Sequence, residues 1–214
     1  MNEPFYFRSQ VELIYLLGLL ARNPVELKAG LEKVPPLSIY YHTHKFLQQH
    51  RVLSPEPPND FSYWLGTILN LRELGEVMAS VDVVKWKNME ELRVEFIRIL
   101  DDYLTQGKYS VDAPEGAEFH FMSCRVFVLP TRYIARTPGE FIEAVRVISP
   151  RSLYFHVFEA KMRLEGEEND FAAWFRGLGK VETAEALSAL DPYTITLEGL
   201  RSKIIETVRI YAEP

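Results

Sequence analysis

Cysteine is nearly absent from this 214-residue sequence, and the single Cys124 excludes an intramolecular disulfide framework and fits a reducing compartment. Long hydrophobic runs are also missing. The longest, LIYLLGLLA at 13–21, falls well short of the roughly 20 residues that span a bilayer. The opening MNEPFYFRSQ lacks the basic and apolar regions of a secretory signal. We therefore expect a cytoplasmic protein with no membrane partner.

Clusters of lysine and arginine do not occur, and the formal net charge is −6. Because nucleic-acid binding requires concentrated positive charge, no nucleic-acid partner is expected. The sequence also lacks a phosphate-binding loop, a dinucleotide-binding glycine pattern, HExxH, CxxC and a nucleophile elbow. We accordingly assign no catalytic residue and no cofactor.

The sequence does contain an internal similarity at a spacing of 114 residues. This shift places FYFRSQ on FHFMSC, ARNPVEL on ARTPGEF, SIYYH on SLYFH and NDFSYW, after a short deletion, on NDFAAW. The composition, 47% hydrophobic and 25% charged, is that of a folded globular chain. We interpret the similarity as a duplication with a first helical repeat at 1–106, a linker at 107–117 and a second helical repeat at 118–214.

Capping signals predict where several helices begin. Asn23-Pro24 and Thr137-Pro138 are each followed by a glutamate three residues after the cap, which predicts helices near 24–34 and 138–148. Asn59 and Asn169 are predicted N-caps of the DFxxW helices.

Residues 5–21 and 119–135 are compatible with helix or strand, and the sequence leaves both assignments open. The predicted fold is mainly α, with two homologous repeats of about four helices in a pseudo-two-fold arrangement, which leaves open one short strand per repeat.

The motifs SIYYH, SLYFH and the two NDFxxW segments resemble a bacterial and archaeal family of unknown function. The resemblance extends over nearly the whole chain. It implies no activity and no catalytic residues, so the candidate sites depend on the residues of this sequence alone.

The principal candidates are two matched pairs, His42 with Asp60 and His156 with Asp170. An imidazole oriented by a carboxylate is the core of general acid-base chemistry, so both pairs are candidate ligand-binding residues. The alternative is structural, because His156 lies on the apolar stripe of its predicted helix and a buried imidazole can lock two helices together.

Two arginines precede matched helix starts. Arg22 and Arg136 either pair with Asp60 and Asp170 or hold an anion beside the helix N-terminus, and they complete the set of candidate ligand-binding residues.

A metal site is not predicted. His42, His44 and His50 are close in sequence, but residues two apart on a helix point to different faces, and neither His44 nor His50 recurs in the second half.

These observations favour a non-catalytic binding or regulatory protein, a monomer or homodimer, whose partner is an unknown small molecule or protein. Two alternatives stay open. One is an enzyme or small-ligand-binding protein that uses the His/Asp pairs, and the other is a structural subunit of a larger assembly.

Overall fold

The computed structural model describes residues 3–45, 58–83, 85–86, 88–107, 111–159, 168–190 and 195–212. Within these ranges the chain forms two long β-strands and ten α-helices, and three of the helices continue directly into a π-helical turn. No helix in this part of the chain is long and apolar enough to cross a membrane.

Strand β1 spans Phe5–Ala21 and strand β2 spans Phe119–Ala135. The two strands form an antiparallel two-stranded sheet. The predicted mainly α fold of two helical repeats is therefore wrong, and the protein is mixed α/β. The physical reason is that each 17-residue strand is specified by pairing with a segment about a hundred residues away. That pairing overrides the helix propensity of the leucine-rich stretch in β1.

Five α-helices and two π-helical turns lie between the strands. They are α1 (Pro24–Leu31), α2 (Pro36–Tyr40) with its π turn (Tyr41–Lys45), α3 (Asp60–Tyr63) with its π turn (Trp64–Ile68), α4 (Arg72–Ala79) and α5 (Met89–Thr105).

Five α-helices and one π-helical turn follow β2. They are α6 (Pro138–Val147), α7 (Pro150–Tyr154) with its π turn (Phe155–Glu159), α8 (Asp170–Gly177), α9 (Val181–Ser188) and α10 (Leu197–Tyr211).

The predicted helix starts are confirmed by their caps. The Asn23 side chain accepts a hydrogen bond from the Glu26 amide at 2.9 Å, and the Thr137 hydroxyl accepts one from the Glu140 amide at 3.2 Å. In α1 and α6 the proline occupies the first turn, where its missing N–H costs no helical hydrogen bond.

The described residues divide into two compact units. Unit A contains residues 3–11 and the described part of 126–212, whereas unit B contains the described part of 12–125. In unit A, Phe5 and Phe7 of β1 are buried with the helices α6 to α10. The boundaries 1–106 and 118–214 stay a prediction about the sequence. In the structure the first residues of β1 belong to unit A, with residues from 126 onwards, and the first residues of β2 belong to unit B.

The core of unit B is built in the same way. Phe119 and Phe121 of β2 are buried among side chains of α1 to α5. Phe121 lies directly against Gly30 of α1, where an added Cβ would stand 2.2 Å from the ring. A side chain at position 30 would therefore have to displace the Phe121 ring from α1.

Candidate functional site

In unit B, His42 and Asp60 form a direct pair. His42 lies in the π turn after α2, and Asp60 is the first residue of α3, where a carboxylate is favourable near the helix N-terminus. His42 Nδ1 lies 2.8 Å from Asp60 Oδ2. The imidazole is buried, whereas the Asp60 side chain is about one-third exposed (34%). The pair therefore connects a buried ring to a partly solvated carboxylate.

The second ring nitrogen of His42 contacts a strand. The backbone N–H of Met122 in β2 donates a hydrogen bond to His42 Nε2 at 2.9 Å. Because Nε2 accepts, the ring proton resides on Nδ1 and is donated to Asp60. The ring is also packed between Phe119 and Phe61, with centroid distances of 4.8 and 5.4 Å. His42 thus ties two helices to β2 through both of its nitrogens.

Unit A contains the same arrangement. His156 Nδ1 lies 2.8 Å from Asp170 Oδ2, and His156 Nε2 accepts a hydrogen bond from the backbone N–H of Arg8 in β1 at 2.8 Å. The Ser152 hydroxyl adds a bond to the Arg8 carbonyl at 2.5 Å. Helices α7 and α8 are consequently held against β1 through both the N–H and the C=O of Arg8.

The serine that matches Ser152 behaves differently. Ser38 is fully buried in α2, and its hydroxyl oxygen has no hydrogen-bond partner among the described residues. The two sites therefore share the imidazole contacts but differ in the hydroxyl contact to the strand.

The chemistry available to these histidines is restricted by this geometry. In a catalytic triad the carboxylate orients the imidazole so that Nε2 faces a nucleophile or substrate. Here Nε2 faces a backbone N–H of a strand in both units. A carboxylate–imidazole–amide chain of this kind satisfies buried polar groups and holds the helices and the strand in one register.

Asn59 and Asn169 extend the same sites. Each asparagine caps its helix, as predicted, by accepting from the Ser62 amide at 2.8 Å or the Ala172 amide at 3.0 Å. Each side-chain N–H₂ also donates to a carbonyl at the end of the following helix, Met78 or Leu187. Because the asparagine side chain has both a carbonyl oxygen and an N–H₂ group, it caps one helix and joins it to the next.

Two roles were predicted for Arg22 and Arg136; no contact with Asp60 or Asp170 is seen among the described residues, and anion binding stays a prediction. The Arg22 amide donates to Glu26 Oε2 at 2.9 Å, and its guanidinium lies 3.2 Å from the same carboxylate. The Arg136 amide likewise donates to Glu140 Oε2 at 2.7 Å. The two hydrogen bonds from Arg22 lower the pKa of Glu26, and the bond from the Arg22 backbone N–H has the larger effect. Each arginine is therefore part of the capping arrangement of the following helix, because the glutamate three residues after the N-cap accepts a hydrogen bond from its backbone N–H.

His44 is a separate buried group. Its Nδ1 lies 2.8 Å from the Thr43 hydroxyl, and its ring is stacked on Tyr40 with a centroid distance of 5.5 Å. Burial lowers the pKa of His44 to about 4, with a smaller opposing contribution from the Val83 backbone. His50 lies outside the described residues. No group of three metal-ligating side chains occurs in the part of the chain that the structure describes.

The partners that sequence reasoning missed are the backbone amides of Arg8 and Met122. Backbone groups leave no side-chain signal, and only the alternation in FYF and FHF indicates that these segments are strands with buried odd-numbered residues. The contact could not be found without the pairing of β1 with β2.

Unit A also carries a surface groove of about 570 Å³ between α6 and α10. Its lining combines apolar, polar and charged side chains: Arg146, Ser202, Ile205, Glu206, Arg209 and Ile210. Arg146 lies 2.9 Å from Glu143 on its own helix. The groove is a candidate place for a ligand that has both an apolar and an anionic part.

Comparison with known proteins agrees with the resemblance seen in the motifs. The solved structure of OrfY from Thermoproteus tenax is similar, with a TM-score of 0.81 and 27% identity over 99% of this chain and 97% of that chain. Among curated proteins there is no match. A family model described as a family of unknown function, DUF5752, matches residues 2–209. The chain therefore belongs to the DUF5752 family.

Proposed function

We propose that this protein is a non-catalytic binding or regulatory protein in which the His42/Asp60 and His156/Asp170 pairs are structural. The observation that carries the proposal is the hydrogen bond from a strand N–H to each imidazole Nε2. A ligand or substrate that needed this nitrogen would have to displace the strand. The repeated use of one arrangement in two cores is explained by the need to satisfy buried polar groups in each core.

Ligand binding then belongs to another surface, and we place it in the groove between α6 and α10. Two arginines, Arg146 and Arg209, line this groove together with Glu206, and Arg146 also pairs with Glu143. Guanidinium groups bind carboxylate and phosphate oxygens through charge-assisted hydrogen bonds, while Ile205 and Ile210 supply apolar contact. The expected ligand class is a small organic anion.

Citrate and inorganic phosphate are suitable probes of the groove, and calorimetric titration measures their binding. We expect Arg209→Ala to weaken citrate binding about tenfold, which is the loss of one charge-assisted contact. Arg72→Ala is the matched control, because Arg72 is an exposed arginine in unit B, and we expect it to bind as the wild type does.

A second variant separates this function from the His/Asp alternative. Asp170→Asn keeps an acceptor for His156 Nδ1–H but removes the carboxylate charge. If the pairs are structural, Asp170→Asn binds citrate like the wild type. Weaker binding by Asp170→Asn, with Arg209→Ala unaffected, would assign ligand binding to the His/Asp pairs and refute the proposed function.

A further inference from the structure

One side of α10 forms most of the groove between α6 and α10. Five of the lining residues come from α10, and their spacing along the chain places them on one face of the helix. They are Ser202, Ile205, Glu206, Arg209 and Ile210. Arg146 of α6 completes the lining, and its guanidinium lies 2.9 Å from the Glu143 carboxylate. The positive charge of Arg146 is therefore already balanced on its own helix.

Glu206 and Arg209 are left without such a partner. They are three positions apart, a spacing at which helical side chains meet. Within the described residues they nevertheless form no ion pair with each other, and neither side chain makes a hydrogen bond. In the described helices the four other Glu-x-x-Arg sequences all form the ion pair. They are Glu90 with Arg93, Glu95 with Arg98, Glu143 with Arg146 and Glu198 with Arg201, at 3.0, 2.7, 2.9 and 2.8 Å.

Helix α5 offers a comparison within the chain. Arg93 of α5 and Arg201 of α10 make the same contact, since each donates to a carbonyl near the end of the helix that follows a strand. Five and eight positions after Arg93, the residues are Arg98 and Asp101. Arg98 bonds to two carboxylates of its own helix, and Asp101 lies 2.6 Å from Lys28. The charges on this face of α5 are thus paired, whereas the corresponding charges of α10 are available to a ligand.

These two charges indicate the chemistry of the ligand. A guanidinium binds a carboxylate through charge-assisted hydrogen bonds, and a carboxylate binds an ammonium group in the same way. The Ser202 hydroxyl donates to the Glu198 carbonyl at 3.0 Å, so its oxygen can still accept a hydrogen bond from that ammonium group. Side chains one helical turn apart have Cβ atoms roughly 5–6 Å from each other, which suits two opposite charges within one small molecule.

The two isoleucines supply the apolar part of the contact. Ile210 is 63% exposed, and Ile205 is half-buried beside it on the same face. Covering them with an apolar side chain of the ligand removes apolar area from water and favours binding. A ligand without an ammonium group would instead bring its carboxylate close to the negative charge of Glu206, which opposes binding.

We propose that the groove binds a free α-amino acid with an apolar side chain, whose carboxylate contacts Arg209 and whose ammonium group contacts Glu206. The inference rests on the proposed function, because it places the ligand's carboxylate on the same arginine. It narrows the ligand class from small organic anions in general to those that carry an ammonium group beside the carboxylate.

Calorimetric titration with L-leucine, 4-methylpentanoate and glycine tests the proposal. The second compound has the carbon skeleton and the carboxylate of leucine but no ammonium group, and glycine has both charges but no side chain. We expect the wild type to bind leucine at least tenfold more tightly than either of the other two, because each of them lacks one of the contacts.

Glu206→Gln tests the assigned residue. Glutamine keeps the size of the side chain but removes its charge, so leucine should bind about tenfold more weakly and lose its advantage over 4-methylpentanoate. Glu76→Gln is the matched control, because Glu76 is an exposed glutamate of α4 in unit B, and we expect it to bind leucine as the wild type does.

Equal affinities of leucine and 4-methylpentanoate in the wild type would overturn the proposal, as would a preference for leucine that persists in Glu206→Gln. Glycine binding as tightly as leucine would also overturn it, because the apolar contact would then contribute nothing. In each of these cases the proposed function stands if citrate binds the wild type and is weakened by Arg209→Ala. Absence of binding by citrate and all three compounds up to about 10 mM would refute the proposed function and the inference together.

Discussion

His156 Nε2 accepts a hydrogen bond from the backbone N–H of Arg8, at 2.8 Å and across 148 positions of the sequence. The same imidazole donates through Nδ1 to Asp170. One side chain therefore joins β1 to two helices near the end of the chain. Its replacement measures how much this connection contributes to the free energy of unfolding.

We expect His156→Ala to destabilise the protein by about 1–3 kcal/mol, because the Arg8 N–H and the Asp170 carboxylate lose their shared partner, the buried imidazole. Thermal unfolding followed by circular dichroism measures the effect. His120→Ala is the control, since His120 is exposed on β2, and its unfolding temperature should stay within about a degree of the wild type. An unchanged unfolding temperature in His156→Ala would contradict a structural role.

A double-mutant cycle isolates the contact between His156 and Asp170. The double alanine variant should lose less stability than the sum of the two single variants, by about 0.5–3 kcal/mol, because the first substitution already removes the shared hydrogen bond. Chemical denaturation gives the four free energies of unfolding. Strict additivity would mean that the 2.8 Å contact contributes no coupling energy.

The two matched serines provide a comparison within one chain. Ser152 donates to the Arg8 carbonyl, whereas the Ser38 hydroxyl has no hydrogen-bond partner among the described residues. Ser152→Ala should therefore cost about 1 kcal/mol of unfolding free energy, and Ser38→Ala should be neutral or stabilising because it removes a buried unpaired hydroxyl. Equal losses, measured by denaturant titration, would show that the hydroxyl bond to Arg8 is not the cause.

Asn169 should not be replaceable by aspartate, although both residues are good N-caps. Asn169→Asp keeps the acceptor for the Ala172 amide but loses the donor to the Leu187 carbonyl and places a charge beside it. We expect a loss of about 1–3 kcal/mol. The control is Asn88→Asp, because Asn88 caps α5 at an exposed start and the new charge is favourable near the helix N-terminus. A loss in Asn88→Asp as large as in Asn169→Asp would refute the explanation.

His44 makes stability depend on pH in a defined window. Burial lowers its pKa from 6.5 to about 4 in the folded protein. The unfolded chain therefore binds this proton below about pH 6.5 while the folded chain does not, so stability is complete above pH 6.5 and decreases as the pH falls towards 4. The slope approaches about 1.4 kcal/mol per pH unit.

The measurement is denaturant unfolding at several pH values for the wild type and His44→Phe. Phenylalanine keeps an aromatic ring against Tyr40 but cannot be protonated, so the wild type should lose stability relative to His44→Phe between pH 6.5 and 4. Parallel pH profiles of the two proteins would show that His44 is protonated as readily in the folded state as in the unfolded state.

Several features of the fold could be predicted because their causes are local. Asn23, Thr137, Asn59 and Asn169 cap helices where the capping signals predict, since the capped amide is only three residues away. His42 and His156 were candidates together with Asp60 and Asp170 because the sequence presents both pairs at matched positions. Their direct contact depends on how two short helices meet, which residue spacing does not specify.

The sequence alone determined the helix starts, the apolar positions and the net charge of −6, because each depends on residues within a few positions of one another or on composition. Only the tertiary structure decided that 5–21 and 119–135 are strands, since β1 and β2 stabilise each other across about a hundred residues. The same pairing places the Arg8 and Met122 amides against the two imidazoles. The chemical role of each histidine is therefore set by a backbone group that no local pattern encodes.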